Sequence, residues 1–432
     1  MMKILITNTV VLNTGDTAIL MGVLKILRLA FQEEIEFIIY DKNHEIAQKY
    51  YPDLKFRQSI YFSLSKNLPI KTLENWLNFL NLTRFYWAVW CWKHNLFFIS
   101  KIILKPAEIQ DVLEYSTADL IVSTGGTYLV ENYWLIPRIF DYKISLLLEK
   151  PLIFFTQSLG PFSIPSNRKN FKYIFEKSLL ILLRDLRSKN NILDLDTQKV
   201  NAHVTADAAF VLAQESAIKA AQNRQGFSSL KVAISVRDWQ YFKTVNPDLG
   251  REKYLTSIAK ATEYLVNKYG AKVTFISTCQ GIPEYWTDDS EVALEITKKI
   301  STTITDSITV DRDFHSPTQL SEILKSFDFV VSTRLHMAIL SLGVGTPVLP
   351  IAYEFKTKEL FKNLGQEELV LDIESINEEL ITSSIDLLIT SIDEIRSQLF
   401  PAVYKEYQKA VNSHILVKKA FEELSTLENL QK

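Results

Sequence analysis

Along this chain, short apolar runs alternate with stretches whose apolar residues recur every three or four positions, the rhythm of buried parallel strands separated by amphipathic helices. The clearest instance lies between Ser321 and Pro350. Phe327 to Val331 is a short, β-rich apolar run suited to a buried strand, and Ser332 and Thr333 are helix-capping residue types. Leu335, Ile339 and Leu342 then repeat at helical spacing as far as Gly343, a natural C-terminal stop, and Thr346 to Ile351 reads as the next strand. The pattern predicts Arg334 and His336 in the first turn of a helix that follows a strand. There the unpaired N–H groups and the positive end of the helix dipole favour an anion, and the Arg334 fork can hold a phosphate or carboxylate bidentately. His336 adds a group that exchanges a proton near neutral pH. Taken alone, a surface ion pair at Arg334 and a half-buried histidine are the commoner explanation of such a pattern.

The same alternation runs the length of the chain. Lys3 to Thr7 is a strand, and Ile19, Val23, Ile26 and Leu27 mark the helix after it; between them the loop ends in Asn13-Thr14-Gly15-Asp16. Gly15 lets backbone approach a ligand there, and Asp16 is expected to cap the helix, a role that alone accounts for it. Glu36 to Tyr40, Ala118 to Thr124, Pro151 to Thr156 and Leu179 to Leu183 are further strands. They run into polar corners at Gly125-Gly126-Thr127, at Gln157-Ser158-Leu159-Gly160-Pro161 and at Arg184-Asp185, and the C-terminal ends of parallel strands are where open α/β sheets meet ligands. Residues 214 to 229 turn polar and lose periodicity, so they read as a linker. Lys231 to Val236 then leads into Arg237, and Val273 to Thr278 is the next strand. Ser316-Pro317-Thr318-Gln319 is a capping box with proline at the first helical position. These elements predict an α/β protein of two Rossmann-like domains facing across a cleft. Residues 1–213 are expected to form the first, 230–375 the second, and 376–432 helices packing across both.

One segment breaks the pattern. Between Tyr61 and Leu104 aromatic and aliphatic residues crowd together, most densely from Phe85 to Trp92. Arg84, Lys93 and Lys101 interrupt the run before it reaches the roughly 18 apolar residues that a membrane span needs. Two readings stand: helices packed against a sheet, or an aromatic and basic surface resting in the headgroup region, with peripheral membrane contact through 84–104.

Composition narrows the classes. The 432 residues exceed a single ordinary core, and with 47% hydrophobic and 23% charged residues the chain is a folded protein. Lys and Arg total 48 against 50 for Asp and Glu, so no global field recruits nucleic acid. Cys91 and Cys279 are too few for a disulfide framework or a thiolate metal site, and no His and carboxylate cluster has ligand spacing. With no signal peptide at the N-terminus, these features predict a cytoplasmic protein; the second reading of the aromatic segment would put it at the inner face of the membrane.

Val331-Ser332-Thr333-Arg334-Leu335-His336, Gly345-Thr346-Pro347-Val348 and Tyr353-Glu354-Phe355-Lys356 together resemble the C-terminal signature of the polysaccharide pyruvyl transferase family. The N-x-G-D-x-A corner at Asn13, the stretches at Gln157 and Arg184, Asp207-Ala208-Ala209-Phe210 and the V-A-I-S-V-R run ending at Arg237 resemble its other motifs, in order. Thr17 stands where relatives frequently have an acid.

The resemblance implies transfer of pyruvate from phosphoenolpyruvate to two hydroxyls of a sugar, forming a cyclic ketal, with no cofactor and no metal. Arg334 with the amides around Leu335 and His336 would take the donor phosphate, Arg237 its carboxylate, and Lys356 the leaving phosphate. His336 would be the acid and Asp16 the base. Asn13, Gly15, Gly125, Gly126 and Gln157 are further cleft candidates. The acceptor would be a saccharide, free or lipid-linked, onto which Trp134, Trp239 or Trp286 could stack. The rival is a nucleotide-sugar glycosyltransferase of the same two-domain fold, against which Lys362 stands where an E-x7-E pair starting at Glu354 needs its second acid. A catalytically silent saccharide-binding or assembly protein is the third reading. Neither the acceptor sugar nor the oligomeric state is written in these residues.

Overall fold

The computed structural model describes residues 1–66, 69–227 and 229–431. The chain forms two compact units, one of Met1–Val11, Val23–Ala208 and Val411–Lys432, the other of Leu12–Gly22 and Ala209–Ala410.

The first unit is built on strands β1 (Met2–Thr7), β2 (Ile35–Asp41), β3 (Phe56–Gln58), β4 (Leu120–Ser123), β5 (Gly126–Leu129), β6 (Leu152–Leu159), β7 (Leu180–Leu183) and β8 (Ala202–Val204). They lie in the order β3-β2-β1-β4-β6-β7-β8, with β5 beside β6, and pair in parallel. All eight residues of β6 are buried, as a strand covered on both faces requires. Below it Phe154, Phe171, Phe175 and Tyr142 form part of a continuous aromatic core.

The second unit carries β9 (Lys231–Ser235), β10 (Lys272–Phe275), β11 (Ile308–Val310), β12 (Phe329–Ser332), β13 (Val348–Ala352) and β14 (Leu371–Asp372). Its order is β11-β10-β9-β12-β13-β14, all parallel. Counted from its own first strand this is 3-2-1-4-5-6, the Rossmann winding, so the predicted α/β class and Rossmann-like sheets are what the chain forms. The winding reverses between β9 and β12, which opens a crevice at their C-terminal ends. Ser235 pairs with Ser332 there, so Arg237 and Arg334 each follow two residues past a paired position.

One prediction needs correction, and two others gain detail. The supposed linker contains the helix Glu215–Gln222, which buries Ile218 and Ala221; its alanines favour helix, and a stripe of two small residues is too sparse for periodicity to register. The C-terminal tail ends in one long helix, Ile392–Gln431, whose residues up to Ala410 belong to the second unit and whose residues from Val411 belong to the first. The crowded segment forms the helices Lys71–Lys93 and Phe97–Ile103, with Phe85, Ala88 and Val89 buried and a second apolar face left open.

Candidate functional site

At the end of β12 the Ser332 hydroxyl accepts the Arg334 N–H at 3.2 Å and donates to the Arg334 carbonyl at 2.8 Å. That local loop holds Arg334 extended (φ −100°, ψ 121°), and the helix Leu335–Gly343 starts after it, one residue later than the spacing predicts. Arg334 is therefore the N-cap residue and His336 the second helical residue. Thr333 shares its hydroxyl with the Tyr254 phenol at 2.8 Å, and the same phenol accepts the Arg237 N–H at 3.4 Å. One buried ring thus ties together the ends of β9 and β12. Burial pushes the Tyr254 hydroxyl up to about 12, against the Thr333 hydrogen bond, so it stays protonated.

Three cations converge on this crevice, each handled differently. Arg334 is clamped by Asp289, Nε at 2.8 Å from one carboxylate oxygen and Nη2 at 2.5 Å from the other. Burial opposes its charge, but Asp289 outweighs that and holds the guanidinium protonated. Asp289 is itself fixed by the Ser277 hydroxyl. Asp289 has no assigned role in the sequence reading: Asp288 beside it supplies the cap of the helix Asp289–Thr297, and a second acid in that first turn is ordinary there, so the surplus acid is the only signal. Two of the five Arg334 N–H groups are engaged by Asp289, so it is not the open fork that the sequence suggested, but its Nη1 edge still faces away from the pair.

Arg237 stacks on the Tyr353 ring at 4.0 Å and on Trp239 at 5.1 Å. Among the described residues it has no carboxylate partner, its side-chain contact being a long bond to the Asp238 carbonyl. Lys356 lies 5.6 Å from the centre of the same Tyr353 ring and pairs with Glu354 at 2.9 Å. Tyr353 is the second residue without an assigned role in the sequence reading, although it stands inside a recognised motif. It gathers Arg237 and Lys356 around one aromatic ring. Trp239 is buried against it, centroids 4.6 Å apart, which makes Trp239 a support of the site; Trp286 is exposed, and Trp134 stands in the first unit.

The Asn13–Asp16 corner belongs to this second unit. The Thr14 N–H donates to the Thr278 carbonyl at 2.9 Å and its hydroxyl to the His315 carbonyl at 2.8 Å. The cap predicted for Asp16 is made by Asn13, whose side-chain oxygen accepts the Gly15 N–H at 2.9 Å, because the helix begins at Thr14 and leaves Asp16 inside its first turn. Gly15 sits against His336: a Cβ there would come within 2.7 Å of the His336 Cβ. Asp16, Arg237, Arg334 and Asp289 all act electrostatically on Cys279, whose buried thiol burial pushes up to about 12 and so keeps protonated. Among the described residues no group of three or more His, Cys, Asp or Glu is placed to hold a metal ion.

The remaining candidates lie in the first unit. Gln157 is buried, and its amide donates to the Ser123 hydroxyl at 3.3 Å and to the Thr124 carbonyl, so it braces β4 against β6 where a ligand contact was expected. Gly126 has φ +137° and faces the Tyr128 ring, turning the chain from Gly125 into β5. Arg184 bonds Asp207, Ser158 and Thr127 around the same strand ends.

The family model for polysaccharide pyruvyl transferases matches residues 13–354. The amylovoran biosynthesis protein AmsJ of Erwinia amylovora is 28% identical over 298 residues, 67% of this chain and 69% of AmsJ. Among solved structures, the UDP-GlcNAc 2-epimerase of Neisseria meningitidis superposes with a TM-score of 0.57 at 12% identity, covering 98% of this chain and 99% of its own. HepE of Anabaena, solved with UDP-glucose, gives 0.51 at 13% identity over 99% and 100%. At such identities these structures share the fold.

Proposed function

The chain belongs to the polysaccharide pyruvyl transferase family, and from that premise we propose that it moves the pyruvyl group of phosphoenolpyruvate onto two hydroxyls of a sugar in a cell-surface or exopolysaccharide precursor, closing a cyclic ketal. The observation that carries this reading is the pair of cations, Arg237 and Lys356, on one Tyr353 ring beside the N-terminus of the helix Leu335–Gly343. The donor is a three-carbon body with a carboxylate and a phosphate, and it calls for cations at short, fixed separation. Arg237, stacked and without an acid partner among the described residues, takes the carboxylate. The Nη1 edge of Arg334, aimed by Asp289, takes the phosphate together with the amides at Leu335 and His336. Lys356, beside the same ring, accompanies the phosphate as it leaves.

In the proposed sequence His336 protonates the donor's methylene carbon, and C2 becomes electrophilic. The first sugar hydroxyl bonds to C2 and gives its proton to Asp16. The C2–O bond then breaks, the phosphate departs with the bridging oxygen, and the second hydroxyl bonds to C2 as its proton is released. Two hydroxyl protons are lost, one proton resides in the new methyl group and one on inorganic phosphate. The relationship to AmsJ, named as an amylovoran biosynthesis protein, supports a polysaccharide precursor as acceptor.

The rival reading is a nucleotide-sugar glycosyltransferase, for which HepE with UDP-glucose is the nearest argument; at 13% identity that likeness extends to the fold alone. Calorimetric titration separates the two. Wild-type protein is expected to bind phosphoenolpyruvate, and Arg237→Ala to bind it about thirtyfold more weakly, the scale of a charge-assisted contact. Binding of UDP or GDP sugars without phosphoenolpyruvate would replace this reading with the rival. Binding of phosphoenolpyruvate with no phosphate release on any acceptor would leave a silent binding protein.

A further inference from the structure

The helix Lys71–Lys93 is apolar on two opposite faces, and the first unit covers one of them. Phe85, Ala88 and Val89 enter the core. On the other side Leu73, Trp76, Phe79, Leu80, Trp87 and Trp90 recur at three- and four-residue spacing and stay exposed, Trp76 at 59% and Phe79 at 64%. The following helix adds Phe98 at 78% and Ile102 at 68%. So much contiguous aromatic surface is not the chance exposure of single side chains. Tyr86 extends it toward Tyr173, close enough that, after burial, this neighbour raises its hydroxyl.

Charge on this face is one-sided. From Tyr61 to Lys105 the only acid is Glu74, which is buried and paired with Lys71 at 2.7 Å. Lys66, Lys101 and Lys105 are exposed along this stretch, while Lys71, Arg84 and Lys93 are paired with Glu74, Glu108 and Glu149. Exposed Trp and Phe with lysines at the margin is the composition of a surface that rests in lipid headgroups, the rings entering the acyl boundary and the ammonium groups meeting lipid phosphates. No helix among the described residues is long and apolar enough to cross a membrane.

We propose that the exposed face of Lys71–Lys93, continued by Phe97–Ile103, docks this protein onto an anionic lipid bilayer. The lysine rim argues for this occupant over a second copy of the chain, because an isologous pairing would bring two acid-poor, lysine-rimmed faces together. The inference stands on the first unit's surface and does not draw on the donor-site reading, so either can fail alone.

Flotation of the full-length protein with vesicles tests it. Vesicles of phosphatidylcholine with about one third phosphatidylglycerol should carry the protein to the top of the gradient, at least about tenfold better than phosphatidylcholine alone, and added salt should release it. The double substitution Trp76→Gln with Phe79→Gln, at solvent-facing positions, should lose binding about tenfold while keeping the wild-type melting temperature and phosphoenolpyruvate titration. Lys101→Gln with Lys105→Gln should weaken binding to anionic vesicles only. Equal flotation of wild type and the aromatic variant, or no flotation at all, overturns the proposal. So does sedimentation showing a wild-type dimer that the aromatic variant loses, because the face would then belong to a second copy.

Discussion

Arg334 brings a full positive charge into a nearly dry corner, and the carboxylate of Asp289 is what makes that position tolerable. The two arginines are held in different ways: Asp289 sets the angle of the Arg334 guanidinium, whereas Arg237 is stacked on Tyr353 with no carboxylate partner among the described residues. Gly15 is equally committed. A methyl group there would stand 2.7 Å from the His336 Cβ and 3.1 Å from Cγ and Nδ1, atoms close to the backbone that cannot swing aside. Gly15→Ala is therefore expected to destabilise the protein by about 1–3 kcal/mol in urea denaturation and to lower transfer at least tenfold by displacing His336. Unchanged stability and turnover would show that the corner has room to yield. Arg334, His336 and Gly15 were legible as candidates because each stands at a strand-to-helix corner. Tyr353 and Asp289 were not: an aromatic inside a motif and an acid beside a capping acid both have ordinary local explanations.

At the scale of elements, local rules predicted best where the residues answer to one another within a turn. The Ser316 capping box forms as read, whereas the helix after β12 begins late because the Ser332 hydroxyl closes a loop around Arg334. The helix Ile136–Leu147 holds a feature that no periodicity shows, a fully enclosed carboxyl at Asp141. Burial raises it to about 7, against the Ser59 hydroxyl, the Tyr61 amide and Arg138, all of which lower it. In the unfolded chain it ionises near pH 4. Between about pH 4 and 7 the folded form therefore keeps a proton that the unfolded form has lost, so stability falls as pH rises through that window, by up to roughly 1.4 kcal/mol per pH unit. Asp111, raised to about 6 chiefly by burial, adds to the same trend. Asp141→Asn should be more stable than wild type at pH 7.5 and lose less stability between pH 5 and 7.5, as read from urea midpoints. Identical pH slopes for the two proteins would contradict the assignment of the trend to Asp141.

For the whole molecule, the decisive fact is that neither unit is one continuous piece of chain. Residues 411–432 belong to the first unit, where Val417 and Ala420 are buried and Phe421 meets Phe31 edge-on at 5.1 Å. Ending the chain at Ala410 should cost roughly 3 kcal/mol from the lost apolar burial and lower the melting temperature, measurable by calorimetry. A truncated protein that melts with the wild type would mean that this segment adds nothing to the first unit. The sequence by itself determined the alternating strands and helices, the Rossmann class and the corners at Arg237, Arg334 and Asn13, because periodicity and capping act within a few residues. Only tertiary structure decided that Asp289, 45 residues away in the chain, neutralises Arg334, that Tyr353 gathers two cations, and that one face of the aromatic helix stays uncovered. Those outcomes depend on which surfaces are left to meet once the sheets are wound, and no local pattern records that.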